Sequence, residues 1–131
     1  MREILFRGKR LDNGDWVYGY YVHIGPVSCQ RAYIIPEYAS SLYVNEVDPS
    51  TVGQYTGLKD KNGKRIFDGD IAKVLQGKDK DIAYVGFENG AFMLYPKTGN
   101  IYERTLWEYW YNDWDVEVIG NIHDNPELLE K

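Results

Sequence analysis

The amino-acid sequence predicts a mainly β fold, an antiparallel barrel or sandwich built from hairpins, with one or two short helices near the C-terminus. Short runs of β-branched and aromatic residues alternate with polar residues, as in strands that bury one face. Asn-Gly pairs stand at 13–14, 62–63 and 89–90, and such pairs favour tight hairpin turns because both residues tolerate a positive φ. Turn signals about every ten residues are typical of small antiparallel domains.

The N-terminal part predicts a hairpin followed by two shorter strands. Residues 3–10 alternate in polarity, and residues 16–24 return as a second strand after the turn at Asn13-Gly14. Short strands are expected at 31–35 and 42–47, since proline follows each and cannot donate a hydrogen bond to a sheet. Residues 49–52 can form a single helical turn.

The central stretch from Thr56 to Val74 is the most specified part of the chain. It combines three turn signals with short β-prone runs, and a type I′ turn is expected at Asn62-Gly63. Short acids beside glycines cap turns through backbone N–H groups. We therefore interpret one set of residues as structural turn residues: Gly57, Asp60, Asn62, Gly63, Asp68, Gly69 and Asp70.

The C-terminal half predicts strands at 71–75, 82–87 and 91–95, with a hairpin at Asn89-Gly90. Residues 103–114 fit either a helix or a strand, and the helix is slightly favoured. Residues 115–123 alternate as a strand. Asn125 is then expected to N-cap a short helix with Pro126 at its first position.

Length and composition indicate one domain, residues 1–131, with an N-terminal hairpin and strands in 1–50 and a barrel-like core with a C-terminal strand and helix in 51–131. The 131 residues carry a net charge of −5, which disfavours nucleic acid as a partner because phosphates repel such a chain. The N-terminus has no apolar signal-peptide core, and no apolar run is long enough for a transmembrane helix. The lone Cys29 cannot form an intramolecular disulfide, which suits a reducing cytoplasm.

No constellation for catalysis, cofactor binding or metal binding emerges from the residue spacing. The acids around Gly63 fail the spacing of a calcium loop. The two histidines, His23 and His123, lack the spacing of zinc ligands. Cys29 has no positioned base that would make it a nucleophile. An enzyme is therefore the least favoured class. If the protein is an enzyme, we expect a metal-dependent one that uses Asp60, Asp68 or Asp70.

Aromatic residues provide the binding hypothesis. One dense cluster includes Trp107, Trp110 and Trp114, and tryptophan and tyrosine are enriched at interaction hot spots. The alternative is that these rings pack in the core. Basic residues are expected to supply the polar side of a candidate interaction surface, namely Arg7 to Arg10 together with Lys59, Lys61, Lys64 and Arg65.

Three segments resemble the YopX-type family of phage and prophage proteins. The longest is QYTGLKDKNGKRIFDGDI from Gln54 to Ile71, and it is joined by MREILFRG at 1–8 and VIGNIHDNPELL at 118–129. The resemblance implies a β-rich fold with a region similar to a small SH3-like barrel, and a phage or prophage accessory protein in a bacterial cytoplasm. The family offers no established activity and no catalytic residues to transfer.

These observations predict a non-enzymatic protein-interaction module that binds a protein partner or a second copy of itself, without a cofactor or a membrane. The alternative is a nucleic-acid-binding module that uses the basic hairpin at residues 59–65.

Overall fold

Antiparallel β-strands make up most of the computed structural model, which describes residues 3–26, 31–37 and 44–130. The chain forms two compact units, Met1–Tyr55 and Thr56–Lys131, and each is described by itself. The prediction of a single domain with two parts, residues 1–50 and 51–131, stays a prediction. Cys29 and the first part of the strand expected at 42–47 lie outside the described residues.

In the first unit, strands β4-β3-β2-β1 form an antiparallel meander, and β5 pairs with the other side of β1. The strands are β1 (Phe6–Lys9), β2 (Trp16–Ile24), β3 (Arg31–Pro36), β4 (Asn45–Val47) and β5 (Gly53–Lys59), of which β5 continues into the second unit. The hairpin predicted around Gly14 is confirmed by the pairing of β1 with β2. A 3-10 turn at Pro49–Thr51 matches the expected helical turn.

The small core of the first unit forms where β3 and β4 face β1 and β2. Ala32, Ile34 and Val47 are fully buried there. Arg7 is also buried, and its guanidinium lies 4.7 Å from the centre of the Trp16 ring. The expectation that Arg7 contributes to a basic surface is therefore wrong, because a cation–π contact holds its side chain against the sheet.

The second unit contains a five-stranded sheet in the order β10-β9-β8-β7-β11. Besides the end of β5, this unit contains β6 (Arg65–Phe67), which is not part of that sheet, β7 (Asp70–Gln76), β8 (Asp79–Glu88), β9 (Ala91–Pro96), β10 (Arg104–Thr105), helix α1 (Leu106–Tyr111), β11 (Asp115–Asn121) and a 3-10 turn at Pro126–Leu129. Helix α1 covers one face of this sheet through Leu106 and Tyr109. The alternating strands bring Val74, Val85 and Leu94 into the same core.

The mainly antiparallel β prediction is confirmed, but the strands do not close into the expected barrel. The five-stranded sheet keeps two edges, β10 and β11. At the β11 edge, the backbone groups of Val116 and Val118 bond to the turn at residues 60–64 rather than to a further strand. A turn that satisfies the edge removes the need for closure.

The Asn-Gly turns at 62–63 and 89–90 have different backbone conformations, although they contain the same two residue types. Asn89 and Gly90 both have positive φ, 52° and 81°, as a type I′ turn requires. Asn62 does not, and the N–H of Gly63 donates to the carbonyl of Asp60. The type I′ prediction at Asn62-Gly63 is wrong, because the turn begins one residue earlier, at Asp60, and Gly63 is the last residue of a three-residue loop.

The ambiguous segment at 103–114 contains a two-residue strand followed by helix α1. At the C-terminus, the 3-10 turn begins at Pro126 as expected, but the Asn125 side chain does not cap it. The Oδ1 atom of Asn125 instead accepts a hydrogen bond from the N–H of Asn121, so it closes the preceding turn.

Candidate functional site: an aromatic groove in the second unit

The turn at residues 60–64 is held by one carboxylate. Oδ1 of Asp60 accepts hydrogen bonds from the N–H groups of Asn62 and Lys64, both at 2.9 Å. Oδ2 of Asp60 accepts a third, from the N–H of Val118 at 3.0 Å. These bonds fix the turn against β11, and Lys59 and Lys61 on either side of Asp60 are exposed.

Helix α1 begins with a capping arrangement. Oγ1 of Thr105 accepts from the N–H of Glu108, and the Glu108 carboxylate accepts from the Thr105 hydroxyl, which satisfies a free donor of the first turn. The hydrogen bond from Arg104 is the largest influence on Glu108, and it lowers the pKa of this carboxyl against the opposing effect of burial. Glu108 is thus anchored at the helix start rather than available to a ligand.

Helix α1 ends in a Schellman motif at a residue that is not glycine. Asp113 has φ 57°. Its N–H donates to the carbonyl of Trp110, and the N–H of Trp114 donates to the carbonyl of Tyr109. The rings of Trp114 and Tyr109 meet edge to face at 5.2 Å, which is the apolar contact that accompanies this motif. The motif turns the chain sharply from α1 into β11.

A groove of about 200 Å³ lies between the 58–61 segment, helix α1 and the start of β11. Its apolar lining comes from Leu58, Ile66, Leu106 and Val116. Aromatic and charged residues complete the lining: Lys59, Asp60, Lys61, Trp110, Asp113, Trp114 and Asp115.

Beside the groove, helix α1 exposes large aromatic side chains. Trp107 is 54% exposed, Trp110 57% and Tyr111 67%. The rings of Trp107 and Tyr111 stack with centres 4.9 Å apart, as expected for residues four apart on a helix. Tyr102, which precedes the helix, is 75% exposed. We call these four side chains the aromatic face.

The groove brings together four of the seven residues that the predicted interaction surface takes from the second unit. Lys59, Lys61, Trp110 and Trp114 line it. Trp107 lies on the aromatic face outside the groove, and neither Lys64 nor Arg65 lines it. Trp114 is half-buried because one side of its ring packs on Tyr109, so it contributes to the core as well as to the groove.

Sequence reasoning did not select Tyr102 and Tyr111, although both belong to the same aromatic cluster. The helical spacing of Trp107 and Tyr111 was the available signal, because it places both on one side of a helix. Tyr109, in contrast, is fully buried, and its hydroxyl donates to the carbonyl of Tyr102. Burial raises the pKa of the Tyr109 hydroxyl.

Of the residues interpreted as turn residues, Asp60, Asn62 and Gly63 lie at the 60–64 turn, and Asp68 and Gly69 lie between β6 and β7. Gly57 instead lies within β5, and Asp70 is the first residue of β7. Gly57, Gly63 and Gly69 have φ of 87°, 81° and 91°, which side chains other than glycine rarely adopt. The Asp70 carboxylate is buried and accepts from the N–H of Phe67 at 2.7 Å. Asp68 stands between β6 and β7, next to Gly69.

Two further findings concern the part of the chain that the structure describes. In it, no three His, Cys, Asp or Glu side chains are grouped so that they could hold a metal ion. Its helices are also too short and too polar for any of them to span a membrane.

These features define the class: a mainly antiparallel β protein whose second unit carries an aromatic helix beside a groove. The sequence model described as YopX protein matches residues 5–130, and the chain belongs to this family.

Two known proteins are similar to the chain. The SPbeta prophage-derived uncharacterized protein YopX of Bacillus subtilis (strain 168) is 35% identical over 71 residues, which is 52% of each chain. The match therefore spans about half the length of this curated relative. The crystal structure of protein EF1440 from Enterococcus faecalis is 24% identical, with a TM-score of 0.56 over 99% of this chain and 100% of that chain. This second likeness shows the fold.

Proposed function

We propose that the chain is a non-enzymatic protein-interaction module of prophage origin that acts in the cytoplasm of a bacterial host. A protein partner, or a second copy of the chain, docks on the aromatic face and inserts a side chain into the groove.

The exposure of the aromatic face is the observation that carries this proposal. Trp107, Trp110, Tyr111 and Tyr102 are all more than half exposed on or next to a six-residue helix. Leaving such rings in water costs free energy that burial against a partner recovers. Tryptophan and tyrosine are also the residues most enriched in interaction hot spots.

The groove supplies a place for an anchoring side chain. Buried or half-buried Leu58, Ile66, Leu106 and Val116 contribute its apolar lining. A dry cavity of about 150 Å³ accepts benzene, so a groove of about 200 Å³ fits one leucine-sized or aromatic side chain. A groove lined by both aliphatic and charged residues, beside exposed aromatic rings, has the mixed apolar and polar composition of a protein interface.

Charges around the groove favour a protein over nucleic acid. Lys59 and Lys61 line the groove together with Asp113 and Asp115, so both signs of charge are present. The acids repel a phosphate backbone at the same place where the lysines attract it. A polypeptide carries both signs and matches such a rim, which makes the basic hairpin at 59–65 the weaker candidate for a nucleic-acid site.

The prophage origin and the compartment are supported by other observations. The similar Bacillus subtilis protein is named as prophage-derived. A single cysteine in 131 residues suits a reducing compartment, where disulfides do not stabilise proteins.

Affinity capture from the bacterial host tests the proposal when wild type is compared with two variants. The double variant Trp107→Ala/Trp110→Ala removes two rings of the aromatic face. Phe87→Ala is the matched control, because Phe87 is 58% exposed on the β8–β9 hairpin. We expect wild type and Phe87→Ala to retain the same protein at a fixed stoichiometry and the double variant to lose it. Equal capture by all three would contradict the proposal.

Self-association is tested in the same set of proteins by sedimentation velocity over a concentration series. If the partner is a second copy, wild type and Phe87→Ala sediment faster as concentration rises, whereas Trp107→Ala/Trp110→Ala does not. A wild type that stays monomeric and also captures no protein would remove the basis of the proposal.

A further inference from the structure

A second surface in the same unit carries three lysines and is separate from the aromatic groove. Lys73, Lys80 and Lys97 line a depression of about 330 Å³ together with Ile82, Asp81, Thr98 and Asn100. The lysines come from β7, from β8 and from the residue after β9.

Strand register explains why the three lysines share one face. Lys73 pairs with Ile82 across β7 and β8. On the other side of β8, the backbone N–H of Lys97 donates to the carbonyl of Ile82 at 2.7 Å. Directly paired residues point to the same face of a sheet, and Lys80 joins them because it precedes Ile82 by two positions.

Backbone spacing places the three ammonium groups within reach of one ligand. Neighbouring strands are about 4.8 Å apart, so the Cα atoms of Lys73 and Lys97 lie about 10 Å apart. Lys80 is about 7 Å along β8 from Ile82. Flexible lysine stems allow the amines to converge over Ile82 or to spread along an extended ligand.

The lysines have few competing partners. Within the described residues, the Lys73 and Lys80 amines form no hydrogen bond and no ion pair, and the Lys97 amine donates to the carbonyl of Leu128. Glu117 lies opposite Lys73 on β11 and accepts a hydrogen bond from the Asn62 amide, but it forms no ion pair with Lys73.

The one carboxylate that lines the depression is already occupied. Asp81 accepts hydrogen bonds from the N–H groups of Ile82, Thr98 and Asn100 and from the Thr98 hydroxyl. Its oxygens therefore bind the loop at 98–100 while the carboxylate keeps its negative charge, so three lysines and one carboxylate line the depression.

We propose that Lys73, Lys80 and Lys97 form a binding site for phosphate groups on the outer face of the second unit's sheet. Lysine ammonium groups bind phosphate as point charges, and three of them on one face suit a multiply charged phosphate. The site is independent of the aromatic groove, and binding here does not require a protein partner there.

Backbone amide NMR shifts test the site with two probes, inorganic tripolyphosphate and a 20-residue oligothymidylate, at low salt. With either probe, we expect shifts at Lys73, Lys80, Ile82 and Thr98 and none at Lys61 or Trp110. Shifts with both probes indicate a site for phosphate groups in general, shifts with tripolyphosphate alone indicate a free phosphate compound, and shifts with the oligonucleotide alone indicate a nucleic-acid backbone. The absence of shifts with both, or shifts centred on residues 59–65, would overturn the proposal.

Charge-removing variants provide the matched comparison. Lys73→Gln/Lys80→Gln leaves the Lys97 contact to Leu128 intact, so it tests the site without disturbing the C-terminal turn. Lys59→Gln/Lys61→Gln removes the same charge from the groove. We expect the first variant to weaken probe binding about tenfold and to reduce the oligonucleotide salt slope by about 1.4, or about 0.7 for each contact. If both double variants weaken probe binding equally, the probes are attracted by net charge alone, and the proposal is overturned.

Discussion

Oδ2 of Asp60 lies 3.0 Å from the backbone nitrogen of Val118, so a side chain in a turn pairs with a strand 58 residues away. One residue further along the turn, the N–H of Lys61 donates to the carbonyl of Val116 at 3.0 Å. Together the two bonds occupy the free edge of β11 as a neighbouring strand would. An edge covered in this way does not offer a template for pairing with another chain.

Replacing Asp60 with asparagine tests the importance of this contact. The amide keeps one acceptor oxygen, so the N–H groups of Asn62, Lys64 and Val118 can no longer all be satisfied. Hydrogen bonds to a charged group contribute about 1.5–3 kcal/mol each after exchange with water. We expect Asp60→Asn to lower the free energy of unfolding by about 2 kcal/mol in urea titrations.

Asp115→Asn is the control for this substitution, since Asp115 is exposed at the start of the same strand. We expect it to change the unfolding free energy by less than about 0.5 kcal/mol. Equal stabilities of the two variants would show that the Asp60 contact is dispensable.

The end of helix α1 predicts a stabilising substitution. Asp113 has φ 57°, and the left-handed conformation costs a residue with a Cβ about 1 kcal/mol relative to glycine. Asp113→Gly should therefore raise the unfolding free energy by about 1 kcal/mol, measured by urea denaturation. Asp113→Ala keeps the conformational cost and serves as the control. A glycine variant no more stable than the alanine variant would contradict the Schellman geometry at this position.

Asp81 predicts a pH dependence of stability. Burial opposes ionisation of Asp81, but hydrogen bonds from Thr98, Ile82 and Asn100 outweigh it, and the pKa is lowered from its ordinary value of 3.8. A carboxyl with a lower pKa in the folded state stabilises the protein above the unfolded-state pKa, and this contribution is lost as the pH falls through the folded-state pKa.

Asp81→Asn should therefore destabilise the protein at pH 7 and reduce the loss of stability between about pH 5 and the acid range. The measurement is the urea midpoint as a function of pH. Asp79→Asn, which removes the same charge at an exposed position two residues earlier, is the control. An Asp81→Asn profile parallel to wild type would contradict the lowered pKa.

Gly57 tests whether the central stretch acts as scaffold rather than as a binding surface. No atom lies within 4 Å of the position of an added Cβ, so the φ of 87° is the main obstacle to a side chain. Gly57→Val should lower the melting temperature, because β-branched residues are strained in this conformation. The matched substitution at Gly69, with φ 91°, should act in the same direction. Unchanged melting temperatures together with lost partner binding would reverse the scaffold interpretation.

Local signals in the sequence predict most strands of the fold. β2 spans the predicted residues, and β7, β8 and β9 extend the predicted strands by one to three residues at their ends. Period-two alternation and turn residues are local properties, so they can be read from neighbours in the chain. The prediction of a type I′ turn at Asn62-Gly63 was wrong because the Asp60 carboxylate, rather than the Asn-Gly pair, determines where the chain reverses.

The contacts that build the candidate sites join distant parts of the chain. The hydrogen bond between Asp60 and Val118 depends on where β11 lies, and the shared groove of Lys61 and Trp110 depends on how α1 packs. The three-lysine face depends on register, since Lys97 reaches Ile82 only through the pairing of β8 with β9. Composition showed that aromatic and basic residues were present, but only the fold shows which of them share a surface.

Site-specific photocrosslinking tests the central claim, that a protein docks on the aromatic face beside the groove. Benzoylphenylalanine is introduced in place of Trp110, which is both exposed and part of the groove lining. In a second protein, it replaces the equally exposed Phe87. After irradiation in the bacterial host, we predict one dominant covalent adduct from position 110, with a mass that identifies either a partner or a second copy, and none from position 87. The same adducts from both positions, or none from position 110, would contradict the account.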